Sequence, residues 1–134
     1  MNHIHSTAWD EEVQETFLRE AADRLTEVEQ GLLALEQFRD APPPSLLGTI
    51  FRAAHSLKAA ANLLEYKQIE GLTHKLENIL DDFRTGRLVP DPDNITVLLE
   101  AVDKLREMTE NPAGSENHDI SAHLAMLDSV AGLG

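Results

Sequence analysis

Residues 45–64 read SLLGTIFRAAHSLKAAANLL, and the apolar side chains in this stretch recur at alternating intervals of three and four positions. This spacing places them on one face of an α-helix, as in the contact surface of a helical bundle. The residues on this face are Leu47, Ile50, Ala54, Leu57, Ala61 and Leu64. Beside the face lie Phe51, His55, Lys58 and Asn62. We therefore predict a helix with one buried face and a mostly polar flank.

The segments on either side have the same helical periodicity. A first helix is expected to begin after Thr7 as its N-cap, and Pro42–Pro44 end that region because proline cannot continue a helix. A third helix is expected at about residues 67–85. Gly86 is a candidate C-cap because glycine readily adopts the left-handed conformation. Short links between long amphipathic helices indicate antiparallel neighbours.

Asp91 and Pro92 predict the start of a fourth helix, as its N-cap and its first helical residue. Residues 111–115 are expected to form a loop, and a short fifth helix is expected at about residues 119–130. The predicted fold class is all-α: an up-and-down antiparallel four-helix bundle with an additional C-terminal helix.

The length of 134 residues fits one domain with a single core. We predict that residues 1–134 form this domain, with a helical core at about residues 8–110. Residues 1–6 are expected to be disordered, since terminal residues are often poorly ordered.

The chain is acidic, with 11 Lys and Arg against 24 Asp and Glu and a formal net charge of −13 at pH 7. Such a surface repels nucleic-acid phosphates and anionic lipids, so we expect neither nucleic acid nor membrane as a partner. The absence of cysteine excludes disulfides and thiolate chemistry. No apolar run approaches the roughly 20 residues that span a bilayer. We predict a monomeric cytoplasmic domain that binds other proteins.

The polar residues beside the predicted faces are the candidates for chemistry. His55 and Lys58 are three positions apart, so their side chains are neighbours on the helix surface, and Arg52 lies about one turn before His55. In the third helix, His74 and Glu77 are also three positions apart. Glu77 flanks the apolar face and faces His55 if the two helices are adjacent and antiparallel. His74 points away and is expected to be the most exposed of these residues.

Periodicity alone leaves other interpretations open. These side chains can be ordinary solvated residues on an acidic helical bundle that docks to a partner protein. His55, His74 and Glu77 can also be read as a metal site with two histidines and one carboxylate. Lys58 argues against this site, because its positive charge would repel a metal cation.

Two motifs carry a resemblance to a known family. Residues 51–58, FRAAHSLK, resemble the phosphorylation-site helix of the chemotaxis histidine kinase CheA family. Residues 72–81, LTHKLENILD, resemble the second motif of that family's amino-terminal histidine phosphotransfer (HPt) domain. Three further positions continue the second motif: Arg84, Gly86 and Leu88. The similarity in helix order extends over roughly residues 10–110.

One departure from the family pattern follows the lysine. The family usually has glycines there, whereas Ala59, Ala60 and Ala61 occupy these positions in this chain. Alanine is still small enough to let the backbone of a partner approach, and it is a better helix former than glycine. We therefore interpret the site as intact and expect any effect of the alanines to be on partner fit or on the rate of transfer.

The resemblance implies a role for each candidate residue. His55 is expected to accept the γ-phosphoryl group of ATP and to pass it to an aspartate of a response regulator. Glu77 is expected to accept the Nδ1–H hydrogen bond, which leaves Nε2 as the nucleophile. Lys58 is expected to stabilise the phosphoryl oxygens, and His74 to supply a supporting hydrogen bond.

The seven glycines are scattered, and no glycine-rich loop could hold the phosphates of ATP. ATP and Mg²⁺ are therefore expected on a separate CheA-type kinase domain, with no cofactor or metal in this chain. The expected partners are that kinase domain and the receiver domains of response regulators. A free-standing phosphorelay protein is the alternative to a part of CheA.

Overall fold

A computed structural model describes residues 2–38 and 41–132, with side chains from residue 11 onward. The described residues form five α-helices, a short 3-10 helix and no strand. The elements are α1 (Asn2–Leu35), α2 (Pro44–Leu63), α3 (Lys67–Thr85), α4 (Pro92–Glu110), the 3-10 helix η1 (Pro112–Asn117) and α5 (Ser121–Val130). None of the described helices combines the length and hydropathy that a membrane crossing requires.

The first four helices form a bundle. Helix α1 packs against α2 and α4, and α3 packs against the same two helices. Among the described residues, no Cα atoms of the diagonal pairs α1–α3 and α2–α4 lie within 8 Å of each other, and the four helices surround one core. Only three residues separate α2 from α3, so these two packed helices are antiparallel. This arrangement confirms the predicted fold class.

The core is aliphatic, as the composition requires. Its largest fully buried side chains include Leu25, Leu32, Leu35, Ile50, Leu57, Ile69, Leu72, Leu76, Ile79, Leu80, Ile95 and Leu98. Gly31 of α1 faces Ile50 of α2 without space for a side chain, because a Cβ on Gly31 would lie 2.0 Å from Ile50 Cγ2. The small size of glycine thus brings α1 and α2 close together.

The link between α2 and α3 is a tight helix ending. The Tyr66 N–H donates to the Ala61 carbonyl at 2.9 Å, and the Glu65 N–H donates to the Asn62 carbonyl at 3.1 Å. Glu65 has a φ of 62°, the left-handed conformation that glycine usually takes at this position. The turn reverses the direction of the chain, so that α3 runs antiparallel to α2 and the polar flanks of the two helices meet.

The predicted caps of α3 and α4 are confirmed. Gly86 ends α3 with a φ of 81°, in the left-handed region. The Asp91 side chain accepts a hydrogen bond from the Asn94 N–H at 2.8 Å, and Pro92 is the first residue of α4. These two caps fix the length of the link between α3 and α4.

Three expectations are corrected: the start of α1, the disorder of the first residues and the loop before α5. Helix α1 begins at Asn2, so Thr7 lies inside the helix and residues 2–6 are helical instead of disordered, while residue 1 lies outside the described residues. Neither proline nor glycine occurs before Gly31, so nothing in the sequence interrupts the helix there. The expected loop at residues 111–115 lies instead largely in η1, because Pro112 fixes a backbone angle suited to the first turn of a helix.

Residues 112–130, which we call the appended segment, lie against α3 and α4. Glu116 accepts a hydrogen bond from the Gln68 N–H at 3.1 Å, and the Gln68 side chain donates to the His118 carbonyl at 2.9 Å. Lys75 and Asp128 form an ion pair at 2.6 Å. Since Tyr66, the N-cap residue of α3, makes no side-chain cap, Glu116 caps α3 from a distant part of the chain.

Candidate functional site

The polar flanks of α2 and α3 meet at one carboxylate. Nδ1 of His55 is hydrogen-bonded to Oε2 of Glu77, and Nζ of Lys58 donates to Oε1 of Glu77 at 2.7 Å. His55 and Lys58 are about one helical turn apart, and Glu77 reaches both because α2 and α3 are antiparallel neighbours. The structure thus brings together three of the four residues identified in the sequence.

Glu77 is more buried than its position beside the apolar face suggested. Its side chain is 7% exposed, whereas those of Lys58 and His55 are 23% and 57% exposed. Glu77 is therefore not an ordinary solvated side chain, because the close contact between α2 and α3 covers it. A buried carboxylate requires hydrogen bonds or an opposite charge, and the two residues of α2 supply both.

The electrostatics of the site keep Glu77 ionised. Burial by itself raises the pKa of the Glu77 carboxyl, but the hydrogen bonds from Lys58 and His55 and their charges act in the opposite direction. Together they lower the pKa of Glu77 below its ordinary value of 4.5. Glu77 is thus a carboxylate at neutral pH and can only accept hydrogen bonds.

This constraint determines the tautomer of a neutral His55. Since the Glu77 carboxylate has no proton to donate, Nδ1 of His55 must carry the proton in their hydrogen bond. Nε2 of the neutral ring then holds the lone pair. The part of the chain that the structure describes offers Nε2 no hydrogen-bond partner, and the ring is exposed. The arrangement presents a nucleophilic nitrogen to an approaching molecule.

His74 does not join this group. It is exposed on α3, and no hydrogen bond or ion pair links it to another residue in the described part of the chain. The supporting hydrogen bond that the resemblance implied is therefore absent from this structure. No three His, Cys, Asp or Glu side chains in the described ranges are placed to hold a metal ion, so the alternative metal site at His55, His74 and Glu77 does not form.

Phe51 adjoins His55, and Arg84 adjoins Phe51 in turn. The Phe51 ring lies 6.2 Å from the imidazole, between ring centroids, and the Arg84 guanidinium lies 4.5 Å from the centroid of Phe51. The four-residue spacing of Phe51 and His55 could have indicated the first contact. The contact with Arg84 crosses from α3 to α2, and no spacing within one helix indicates it.

Helix α2, which carries His55, is less acidic than the rest of the chain. Residues 44–63 contain two cations, Arg52 and Lys58, and no Asp or Glu, although the whole chain has a net charge of −13. Ala59, one turn after His55, is exposed. The site is thus an accessible histidine on a locally basic helix with small residues beside it, which suits the approach of an anionic group.

A family model and several known proteins match most of this chain. The family model described as Hpt domain matches residues 12–108. Chemotaxis protein CheA of Treponema pallidum is 33% identical over 124 residues, which cover 91% of this chain and 15% of that protein. Chemotaxis protein CheA of Bacillus subtilis is 36% identical over 116 residues, which cover 85% of this chain and 17% of that protein. The chain therefore spans less than a fifth of the length of these relatives.

A solved structure has a similar fold. It is described as the phosphorylated P1 domain of CheA3 in complex with CheY6 from R. sphaeroides. Its TM-score is 0.79 at 29% sequence identity, and the match covers 92% of this chain and 98% of that chain. The similarity includes at least part of the appended segment as well as the four-helix bundle, since the match covers 92% of this chain and leaves only 8% uncovered.

Proposed function

This chain belongs to the Hpt domain family, and from that membership we propose that it is the histidine phosphotransfer domain of a CheA-type kinase. His55 accepts a phosphoryl group that originates from ATP and passes it to an aspartate in the receiver domain of a response regulator. The observation that carries the proposal is the exposed imidazole of His55, whose Nδ1 is hydrogen-bonded to the buried carboxylate of Glu77.

The first step forms a bond between Nε2 of His55 and the γ-phosphorus of ATP. The bond from this phosphorus to the bridging oxygen breaks, and ADP leaves with the electron pair. The imidazole gains positive charge as Nε2 bonds to phosphorus, and the carboxylate of Glu77 stabilises this charge through the proton on Nδ1. In the second step, a carboxylate oxygen of the receiver attacks the phosphorus and the N–P bond breaks.

Lys58 has a partner before the phosphoryl group arrives. Its ammonium donates a hydrogen bond to Glu77 at 2.7 Å, and its side chain is 23% exposed. Because the side chain is partly exposed, it can turn towards a phosphoryl group on His55. A hydrogen bond to a charged phosphoryl oxygen contributes roughly 1.5–3 kcal/mol. We propose that Lys58 helps to hold Glu77 in place before transfer and binds phosphoryl oxygens after it. A role for His74 stays a prediction.

The donor and the acceptor sites belong to other domains in this proposal. ATP and Mg²⁺ are bound by a CheA-type kinase domain, because residues 1–134 contain no glycine-rich phosphate loop. The relatives named above are both CheA proteins, and this favours a kinase over a free-standing phosphorelay protein. We also propose that the domain is monomeric and that the protein is located in the cytoplasm.

The test uses radiolabelled ATP and a CheA kinase fragment that lacks its own phosphotransfer domain. We expect label to enter this chain only when the kinase fragment is present, and to be lost in acid but retained in base, as a phosphoramidate is. His55→Gln should abolish labelling, whereas His118→Gln and His123→Gln should not change it. Label that persists in the His55→Gln variant would exclude the proposed function.

A further inference from the structure

The Phe51 ring lies next to the phosphoacceptor candidate along α2. The centroids of the Phe51 and His55 rings are 6.2 Å apart, and the ring planes are 19° from parallel. This separation is within the range of about 4.5–7 Å at which aromatic rings attract each other. Phe51 also packs against the core, so its ring is anchored on one side. Phe51 is therefore the second group, after Glu77, that is placed against the imidazole.

Phe51 is held in turn by α3. The Arg84 guanidinium lies 4.5 Å from the centroid of the Phe51 ring, a cation–π contact. Arg84 is fixed by two hydrogen bonds to Asp81 Oδ1, from Nη2 at 2.6 Å and from Nε at 3.2 Å. These two hydrogen bonds orient the planar guanidinium over the ring. Helix α3 thus reaches His55 by two separate routes, one through Glu77 and one through Arg84 and Phe51.

The second route restrains a motion that the first leaves free. The hydrogen bond to Glu77 fixes the position of Nδ1, but the ring plane can still tilt while that single bond is kept. Solvent restrains the ring little, because the His55 side chain is 57% exposed. The nearly parallel ring of Phe51, one turn earlier on α2, limits this tilt. The direction of the Nε2 lone pair then stays constant, and such preorganisation favours an in-line displacement.

We propose that Phe51, held by Arg84, is a positioning residue that fixes the ring plane of His55 for phosphoryl transfer; this inference rests on the proposed function. Phe51 touches neither the phosphoryl donor nor the acceptor in this role. Its effect is on the rate of the chemical step itself, whichever donor supplies the phosphoryl group. A docking role would instead act on the affinity for one particular partner.

The first experiment compares Phe51→Leu with Phe38→Leu, a matched control at an exposed phenylalanine outside the site. Each protein is phosphorylated by the kinase fragment and, separately, by phosphoramidate, a small donor that releases ammonia. We expect Phe51→Leu to lower the maximal rate roughly 3- to 10-fold with both donors, as expected for the loss of an aromatic pair. The KM for each donor should be unchanged. Phe38→Leu should match the wild type.

A third variant separates positioning from folding. Phe51→Tyr keeps the ring and its stacking, so its rate should stay close to that of the wild type. A melting curve and the side-chain ¹⁵N signals of His55 accompany each variant. In Phe51→Leu we expect the His55 ring signals to change while the melting temperature moves by only a few degrees. If Phe51→Tyr were as slow as Phe51→Leu while remaining folded, the ring itself would not be the positioning group.

The second experiment tests whether Arg84 acts through Phe51. Arg84→Gln should slow transfer by roughly 2- to 5-fold, and Arg84→Lys should restore part of the rate because lysine keeps a cation over the ring. Arg87→Gln is the control, since the Arg87 side chain is 67% exposed and its one ion pair within the described ranges is a 3.5 Å contact with Asp82. The double variant of Phe51→Leu and Arg84→Gln should be no slower than Phe51→Leu alone.

The outcomes distinguish this inference from the proposed function. A wild-type protein that accepts no label on His55 from either donor would overturn both. Label on wild-type His55 with an unchanged rate in Phe51→Leu would overturn the inference alone. So would a rate loss confined to the kinase fragment, because it would assign Phe51 to docking. Effects of Phe51→Leu and Arg84→Gln that multiply in the double variant would also contradict the route through Phe51.

Discussion

Helix α2 makes two contacts of opposite character. Towards α1, Ile50 packs against Gly31, where no space is left even for a Cβ atom. Towards α3, His55 and Lys58 surround the carboxylate of Glu77, and both remain partly exposed. The first contact depends on volume and the second on charge and hydrogen bonding. We therefore expect substitutions in the first to change the free energy of unfolding and substitutions in the second to change the rate of phosphorylation.

The largest expected effect is on the polar contact. Replacing Glu77 by Ala removes the group that stabilises positive charge on His55, and we expect phosphorylation to slow by about 100-fold, the lower end of the range for groups that assist proton-linked chemistry. The fold should survive, because Lys58 and His55 can both turn into solvent and neither becomes a buried unpaired charge. The measurement is a labelling time course beside a melting curve.

Glu100→Ala is the matched control, since Glu100 is an exposed carboxylate on α4. It should change neither the labelling rate nor the melting temperature. A Glu77→Ala variant that unfolds, while its folded fraction is labelled at the wild-type rate, would assign Glu77 to stability and remove the distinction between the two contacts of α2.

The next effect is on the apolar contact. In Gly31→Ala, the new methyl group would overlap Ile50, so the helices must move apart, and we expect the free energy of unfolding to fall by about 1–3 kcal/mol. Gly71→Ala is the control, because a Cβ at Gly71 meets no atom within 4 Å. This change should raise stability by about 0.5–1 kcal/mol, as alanine favours a helix over glycine. Denaturant unfolding measures both.

The labelling rate of the folded Gly31→Ala protein should equal that of the wild type. If the overlap with Ile50 instead slowed labelling strongly, the two sides of α2 would be mechanically coupled. Helix α2 would then move as a rigid unit between α1 and α3, and its two contacts would not be independent.

A smaller effect on the free energy of unfolding is expected at acid pH. The pKa of Glu77 is lower in the folded protein than its ordinary value of 4.5, so its ionisation contributes stability that is fully present above pH 4.5. This contribution is lost as the pH falls through the folded pKa, because the unfolded chain binds the proton first. Unfolding of wild type and Glu77→Gln should be measured from pH 7 to pH 3. The stability difference between them should be constant near neutrality and change only in the acid range.

The smallest effect concerns the exposed surface of α2 beside His55. Ala59→Gly should lower stability by about 0.5–1 kcal/mol because glycine is a poorer helix former. Phosphorylation by a generic kinase fragment should be unchanged or faster, since the approach to His55 is wider. Ala22→Gly, at an exposed position of α1, should cost the same stability and leave the rate alone. A markedly slower Ala59→Gly variant would mean that the alanines fit a dedicated partner.

Those parts of the fold that depend on one segment at a time were predictable from the sequence. The buried face of α2 follows from its three- and four-residue spacing, and Gly86 and Asp91 end and begin helices by local chemistry. The proximity of His55 and Glu77 also followed, once α2 and α3 were taken as antiparallel neighbours.

Features that depend on how two helices are rotated against each other could not be predicted in this way. The depth of Glu77 below the surface and the contact of Arg84 with Phe51 are set by side chains on different helices. The cap that Glu116 provides for α3 joins positions that no periodic pattern relates. The roles of these residues in transfer stay predictions until the rates are measured.

The cap from Glu116 also has a consequence for the order in which the protein folds during synthesis. The Gln68 N–H and the Glu116 carboxylate are 48 positions apart, so during synthesis α3 leaves the ribosome well before the residue that completes its first turn. We expect the first turn of α3 to fray until the appended segment has been synthesised. The first turn of the helix that carries Glu77 is thus expected to become ordered only after residue 116 has been synthesised.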